Sequence, residues 1–303
     1  MYDIIIIGAG PTGLTAAIYA ARRMMKTLVI SKNIGGQMIW ASEIANYPGV
    51  KTIGAIELVQ NMSQQVKDFG VEIKVDEVKK INKNTDAIFE VEGEKQSYLS
   101  KTIVLAMGLA PKQLGLAGEN QLAGKGISYC ANCDGPLFKG KPVAVVGGGN
   151  AALDAAEVLS KIASQVYLIY HKPKFKGFEG LAAQVQAKDN IVLLLDSDVV
   201  EIIGEQKLEK LKIKHNIVQT VKEIKVDGFF IEIGHTPKTE WLADLVKRDE
   251  KGQIIVDLSA KTSQAGVFAA GDVTPGEFKQ IIIGCGQGAV AALSAYKYLQ
   301  EKK

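Results

Sequence analysis

Cysteine and histidine are scarce in this sequence, with three of each among 303 residues. The cysteines stand at 130, 133 and 285; the histidines, at 171, 215 and 235, show no paired spacing. Three thiols cannot build a closed zinc site from two cysteine pairs, nor the larger, even set of a secreted disulfide framework. An excess of one charge is also missing: the formal balance is +3, with neither a basic arm nor an acidic tail. Aromatic residues do not interleave with lysine or arginine as a base-stacking surface requires, which points away from nucleic acid. Long unbroken apolar runs are absent too. The nearest approach, Ile4 to Ala21, is interrupted by Gly8, Gly10, Pro11 and Gly13, and Asp3 stands where a signal peptide carries a basic residue. The expectation is a cytoplasmic protein with no membrane segment and no metal. Its 47% hydrophobic and 23% charged residues are those of a globular chain, and its length suits two nucleotide-sized domains.

What is present is organised twice over. Ile4 to Ile7 is a continuous β-branched run, as in a strand buried on both faces of a parallel sheet, and an alanine-rich helical segment follows the glycines. The unit recurs as strand Val143 to Val146, glycines 147 to 149, and a helix with Ala152, Ala155 and Ala156. A second echo is Gly-x-x-Pro-Lys after an apolar strand, at 108–112 and again at 234–238. These are points where the chain is expected to leave one domain for the other. The expected fold class is α/β, with two Rossmann-like three-layer nucleotide-binding domains: residues 113–237 inserted into a domain made of 1–112 and 238–303. Val71 to Asn84 and Ala87 to Leu99 alternate like an antiparallel meander.

The first glycine set, Gly8, Gly10 and Gly13, has the spacing of a dinucleotide fingerprint. One glycine makes the tight turn, one admits the pyrophosphate and one allows close helix packing. The helix N-terminus then takes the negative charge. Ser31 and Lys32 occupy the end of the next strand, where an acid for ribose hydroxyls usually stands. The second fingerprint is Gly147, Gly149 and Ala152, with Asn150 and Ala151 at the same helix start. Its following strand ends in His171, Lys172, Lys174 and Lys176 rather than an acid. Cations there suit a 2′-phosphate, so NADPH is favoured over NADH; the competing reading is a solvated lysine-rich loop. Further on, Gly271-Asp272 closes the strand Val267 to Ala270, where Asp272 could take cofactor hydroxyls or serve as a turn residue. Cys285 lies in an apolar, glycine-rich helix start and reads as a packed thiol.

Cys130 and Cys133 form a Cys-x-x-Cys pair just before the second fingerprint. A metal site lacks ligands, and a structural staple closing so short a loop gains little. A redox couple fits, since a helix start favours the thiolate and Asp134 can carry a proton.

In this order and at these distances, Gly8 to Gly13, Gly35-Gly36-Gln37, Asn46 to Gly49, Cys130 to Gly135, Gly147 to Ala152 and Gly266 to Val273 resemble the low-molecular-weight thioredoxin reductases over almost the whole chain. The stretch Cys133 to Lys141 is closer to the flavoprotein branch that reduces alkyl hydroperoxide peroxidases; that branch carries extra N-terminal domains, whereas this chain begins at its first strand. The resemblance implies FAD on the outer domain, held by Gly10, Pro11, Gly36, Gln37, Asn46, Asp272 and Gln280. It also implies a homodimer, a hinge at the two Gly-x-x-Pro-Lys stretches, and reduction of a thioredoxin- or glutaredoxin-like protein. In that scheme Cys133 faces the flavin and Cys130 attacks the partner. A peroxidase-reducing component using NADH, or a ferredoxin-fed reductase, are the alternatives. Two departures stand out. Pro173 interrupts a phosphate motif that is one residue short at His171 to Lys176, and Met107 replaces the family's threonine.

Overall fold

Four consecutive isoleucines leave a strand with no polar face, and Ile4, Ile5 and Ile6 are fully inaccessible to solvent. The computed structural model describes residues 1–40, 43–44, 46–84 and 87–302, without the side chains of Trp40, Glu43 and Cys133. The chain runs β1 (Tyr2–Ala9), α1 (Pro11–Arg22), β2 (Thr27–Ile34), α2 (Ala55–Asp68), β3 (Glu72–Val75), β4 (Val78–Lys83), β5 (Phe89–Gly93) and β6 (Ser97–Leu105). It continues as β7 (Ile127–Ser128), α3 (Ala131–Asp134), β8 (Pro142–Val146), α4 (Asn150–Ser160), β9 (Gln165–Ile169), α5 (Glu179–Gln186) and β10 (Ile191–Leu194). Then come β11 (Ser197–Ile203), β12 (Lys210–His215), β13 (Val221–Lys225), β14 (Gly228–Ile231), β15 (Val267–Ala269) and α6 (Ile281–Gln300). The chain divides into two compact units, Met1–Ala110 with Thr236–Lys303, and Pro111–His235.

In the first unit the sheet order is β3-β2-β1-β6-β5-β4, and β15 also pairs with β6. β6 serves two neighbours along one edge: Ser97 to Ser100 pair with β5, and Ile103 to Leu105 with β15. The period of two sends successive isoleucines to opposite cores. Ile4 and Ile6 pack with Leu14 and Ala17 of α1 and Ala291 of α6, while Ile5 and Ile7 pack with Phe89, Leu105 and Leu242. One expectation needs correcting. β3 is not part of the antiparallel meander but pairs parallel with β2, Leu28 opposite Glu72. The α2 crossover imposes that direction, and an edge position lets the strand keep polar residues that a central parallel strand would lose.

The second unit has a parallel sheet in the order β7-β14-β8-β9-β10 and an antiparallel one, β11-β12-β13. Val143 and Val145 face Ala152, Ala156 and Leu159 of α4; Ala144 faces Leu211, Ile213 and Ile224 of the antiparallel layer. The result is α/β with three layers, the class expected. Among the described residues, no helix is long and apolar enough to cross a membrane.

Candidate active site

The first glycine turn closes β1 onto α1. Gly8 has φ +110°, and a Cβ there would come within 2.3 Å of the Ala106 carbonyl oxygen. A Cβ on Gly13 would lie 1.8 Å from Gly8 O, so α1 starts flush against the turn. Gly10 differs: its Cβ would meet nothing closer than Gly36 Cα at 3.9 Å. Packing does not demand glycine at position 10, and the open space there leaves room for a group to approach the backbone. α1 has no side-chain cap, Pro11 contributes no N–H, and Leu14 is the first to bond back, to Gly10 O at 2.9 Å. The Thr12 and Gly13 amides are thus helix-terminal donors of the kind that hold a pyrophosphate.

Residues far apart in sequence converge near this turn. Gly36, at φ +56°, lies backbone to backbone with Gly10. Gln37 Nε2 donates to Asp272 Oδ2 at 3.4 Å, and Asn46 Nδ2 to Gln280 Oε1 at 3.1 Å. Asp272 sits in a 3-10 turn, and Lys279 Nζ donates to the backbone oxygens of Asp272 and Thr274 at 3.2 and 2.7 Å. Burial lowers the proton affinity of Lys279, with Asp272 opposing. Cys285 is a free, buried thiol directed at Pro11 O, 3.7 Å away.

The second turn repeats the design in the other unit. Gly147, at φ +145°, abuts Glu232 O and Ala152 Cβ; a Cβ there would come within 2.3 and 2.7 Å of them. A Cβ on Gly149 would meet nothing within 4 Å, and α4 begins at Asn150 without a side-chain cap. The lysine loop folds back over this turn. Lys176 and Gly177 both donate N–H to Gly148 O, at 2.7 and 3.2 Å, and Phe178 N–H to Asn150 Oδ1 at 2.8 Å. His171, Lys172 and Lys176 are exposed, as is Ala151, while Ala152 is buried. Tyr170, 3% exposed, stacks on Phe175, and its hydroxyl has no hydrogen-bond partner among the described residues. Each turn, with an uncapped helix start and a glycine kept open for approach, fits a dinucleotide.

Cys130 is disulfide-bonded. Its N–H donates to Ser128 Oγ at 3.0 Å, and Asp134, at the end of α3, donates N–H to Cys130 O at 3.2 Å. The side chain of Cys133 lies outside the described residues.

A family model described as pyridine nucleotide-disulphide oxidoreductase matches residues 2–288. The chain belongs to the pyridine nucleotide-disulphide oxidoreductases. Among curated relatives of this oxidoreductase, an NADH dehydrogenase of Bacillus subtilis is 36% identical over 300 residues, covering 98% of the chain but 58% of the relative. The chain thus spans under two thirds of that protein. A thioredoxin reductase of Treponema pallidum is 37% identical, with 98% of the chain and 97% of the relative covered. The crystal structure of Lactococcus lactis thioredoxin reductase is 36% identical with a TM-score of 0.86, covering 99% of the chain and 100% of that structure.

Three side chains of this oxidoreductase escaped sequence reasoning. Thr12 anchors α1 on α6: a Cβ on Gly271, Gly284 or Gly288 would approach it to 2.4, 2.5 or 2.2 Å. Glu119, 2% exposed, accepts N–H groups from Leu114 and Gly115 and the Tyr129 hydroxyl at 2.7 Å. It fixes the residue before Cys130; burial and this bond push the Tyr129 pKa up to about 12. Glu232, at the end of β14, is the third: burial lifts its pKa to about 7, the Ala131 N–H opposing and Asp154 adding to the rise. Glu119 and Glu232 belong to no motif, and Thr12 fills a position that the first glycine fingerprint leaves unspecified. The signal for each is a contact between distant segments, which no spacing rule encodes.

Proposed function

We propose that the chain is an NAD(P)H-dependent disulfide reductase that delivers electrons to a small thioredoxin- or glutaredoxin-like protein. One observation carries this reading. The Cys130 disulfide and the second glycine turn lie in one compact unit, where Ala131, the residue after Cys130, packs in the same core as Val145 of β8 and Ala152 and Ala156 of α4, the two elements that flank the turn. An acceptor disulfide and a nucleotide cradle so joined are the two ends of one electron path.

On the outer unit, Gly10, Pro11 and Gly13 would hold the FAD pyrophosphate, with Gly36, Gln37, Asn46, Asp272 and Gln280 around the rest of it. Gly147, Gly149, Asn150, Ala151 and Ala152 would hold NADPH, with His171, Lys172 and Lys176 toward its 2′-phosphate. When bound, FAD supplies the conversion of a two-electron hydride donor into a disulfide reductant. Cys130, once reduced, attacks a sulfur of the partner's disulfide; Cys133 resolves the mixed disulfide, and Asp134 moves the proton of the departing thiol. Support for the partner class comes from relatives named thioredoxin reductases that the chain matches over nearly their full length. A cytoplasmic homodimer is the setting proposed.

Anaerobic titration of the purified yellow protein, first with NADPH and then with NADH, tests this. Bleaching of the flavin by NADPH at lower concentration is expected; bleaching by neither nucleotide overturns the reading, and a clear NADH preference overturns the phosphate role of the lysine loop. Cys130→Ser should retain flavin reduction and lose reduction of a thioredoxin-like protein.

A further inference from the structure

The end of β9 carries a tyrosine that the steps above leave unused. Tyr170 is 3% exposed, and its main chain is tied on both sides: its N–H donates to Leu194 O, and Ser197 N–H donates to its carbonyl, each at 3.0 Å. Its ring lies against the second glycine turn, where a Cβ on Gly148 would come within 2.3 Å of both Cε2 and Cζ. The middle glycine of that turn, which the fingerprint leaves unspecified, is thus dictated by this ring. Phe175 of the lysine loop stacks on Tyr170 with centroids 5.8 Å apart and planes 20° from parallel, and His171 meets it edge-on at 4.7 Å. The far end of the loop is pinned to the same turn, Lys176 and Gly177 N–H on Gly148 O and Phe178 N–H on Asn150 Oδ1. At the near end Asp196 N–H donates to Lys172 O at 3.3 Å. The side chains of Lys172, Lys174 and Lys176 are therefore exposed on a backbone held at both ends and at its middle.

Exposed lysines on a mobile loop discriminate poorly. Each pairing with a phosphate returns little in water, and ordering the loop backbone on binding costs more than such a pair gains. A loop already held by packing has met that cost before the nucleotide arrives. Resting on the reading of this loop as the 2′-phosphate site, we propose that Tyr170 sets the choice of nucleotide. Its ring, clamped between Gly148 and Phe175, holds the three lysines at a fixed place relative to the glycine turn. Preference for the 2′-phosphorylated nucleotide then depends on this aromatic stack as well as on lysine charge. Tyr170 acts through the loop, as a positioning residue. The ring carries that part and the hydroxyl does not: it is buried with no hydrogen-bond partner among the described residues, a state that costs stability.

Calorimetric titration of the holoprotein with NADP⁺ and with NAD⁺ tests this, since neither oxidised nucleotide reduces the flavin. Tyr170→Ala empties a buried position and confounds binding with folding. Phe175→Ala, at a half-buried loop residue, removes the stack from the other side. In Phe175→Ala the affinity for NADP⁺ is expected to fall about tenfold, and that for NAD⁺ by less than about twofold. Tyr170→Phe keeps the ring and should keep the wild-type preference, with a urea midpoint equal to or above that of wild type. Stack and charge should also be coupled: Lys176→Ala should weaken NADP⁺ binding in the wild type but scarcely in the Phe175→Ala background. Equal losses for both nucleotides in Phe175→Ala, or losses that simply add with Lys176→Ala, overturn the inference. So does a preference lost in Tyr170→Phe. A wild type that binds NADP⁺ no better than NAD⁺ overturns the phosphate reading of the loop and this inference with it, whereas a preference that survives Phe175→Ala overturns this inference alone.

Discussion

Position 149 has room for a side chain and position 147 has none, although both belong to one glycine turn. The difference separates what glycine does for folding from what it does for binding. Gly147→Ala places a Cβ 2.3 Å from Glu232 O at a φ of +145°, and should destabilise by roughly 2–3 kcal/mol or prevent folding. Gly149→Ala meets nothing within 4 Å and should leave denaturant midpoints within about 0.5 kcal/mol of wild type. Its KM for NADPH should rise about tenfold or more if, as proposed, the added methyl stands where the pyrophosphate approaches. Steady-state kinetics beside urea melts decide it: an unchanged KM removes Gly149 from the nucleotide contact. At this scale the spacing of glycines was readable because a steric rule fixes it. Thr12, Glu119 and Glu232 were not, since each draws its character from neighbours far along the chain.

Elements follow from sequence where their periodicity is unmixed. Ile4 to Ile7 and Val143 to Val146 could only be central strands, and both are buried on two faces. β3 misled because an edge strand in a parallel sheet carries the same alternation as a meander strand; only the α2 crossover distinguishes them. Strand ends carry the chemistry no pattern shows. Glu232 closes β14, and folding raises its pKa from 4.5 to about 7. The folded state therefore binds a proton that the unfolded chain releases. The stability tied to that proton is fully present below pH 4.5 and lost as pH rises through about 7, amounting to at most roughly 3 kcal/mol. Glu232→Gln should flatten the fall in unfolding free energy between pH 5 and 8. A variant whose stability still declines as steeply as wild type over that interval would place the titrating group elsewhere.

At the scale of the whole molecule, the α/β class was legible because the strand–glycine–helix unit occurs twice, while the identity of the electron acceptor is written in no repeat. The second unit has the anatomy of an insertion. Its two ends meet, Lys112 N–H donating to Gly234 O at 2.9 Å, and each face of β8 has its own core, one against α4 and one against β11-β12-β13. A segment with adjacent ends and a closed core should fold when the surrounding chain is removed. Residues 111–235 expressed alone are expected to unfold in a single cooperative transition and to bind NADPH, read by nucleotide fluorescence. The Cys130 disulfide of this fragment should stay oxidised when NADPH is added, because the Gly8 to Gly13 turn, proposed to hold FAD, has been left behind. Reduction of that disulfide by NADPH in the fragment would mean that the second unit carries out the whole transfer itself, and the assignment of FAD to the outer unit would fall.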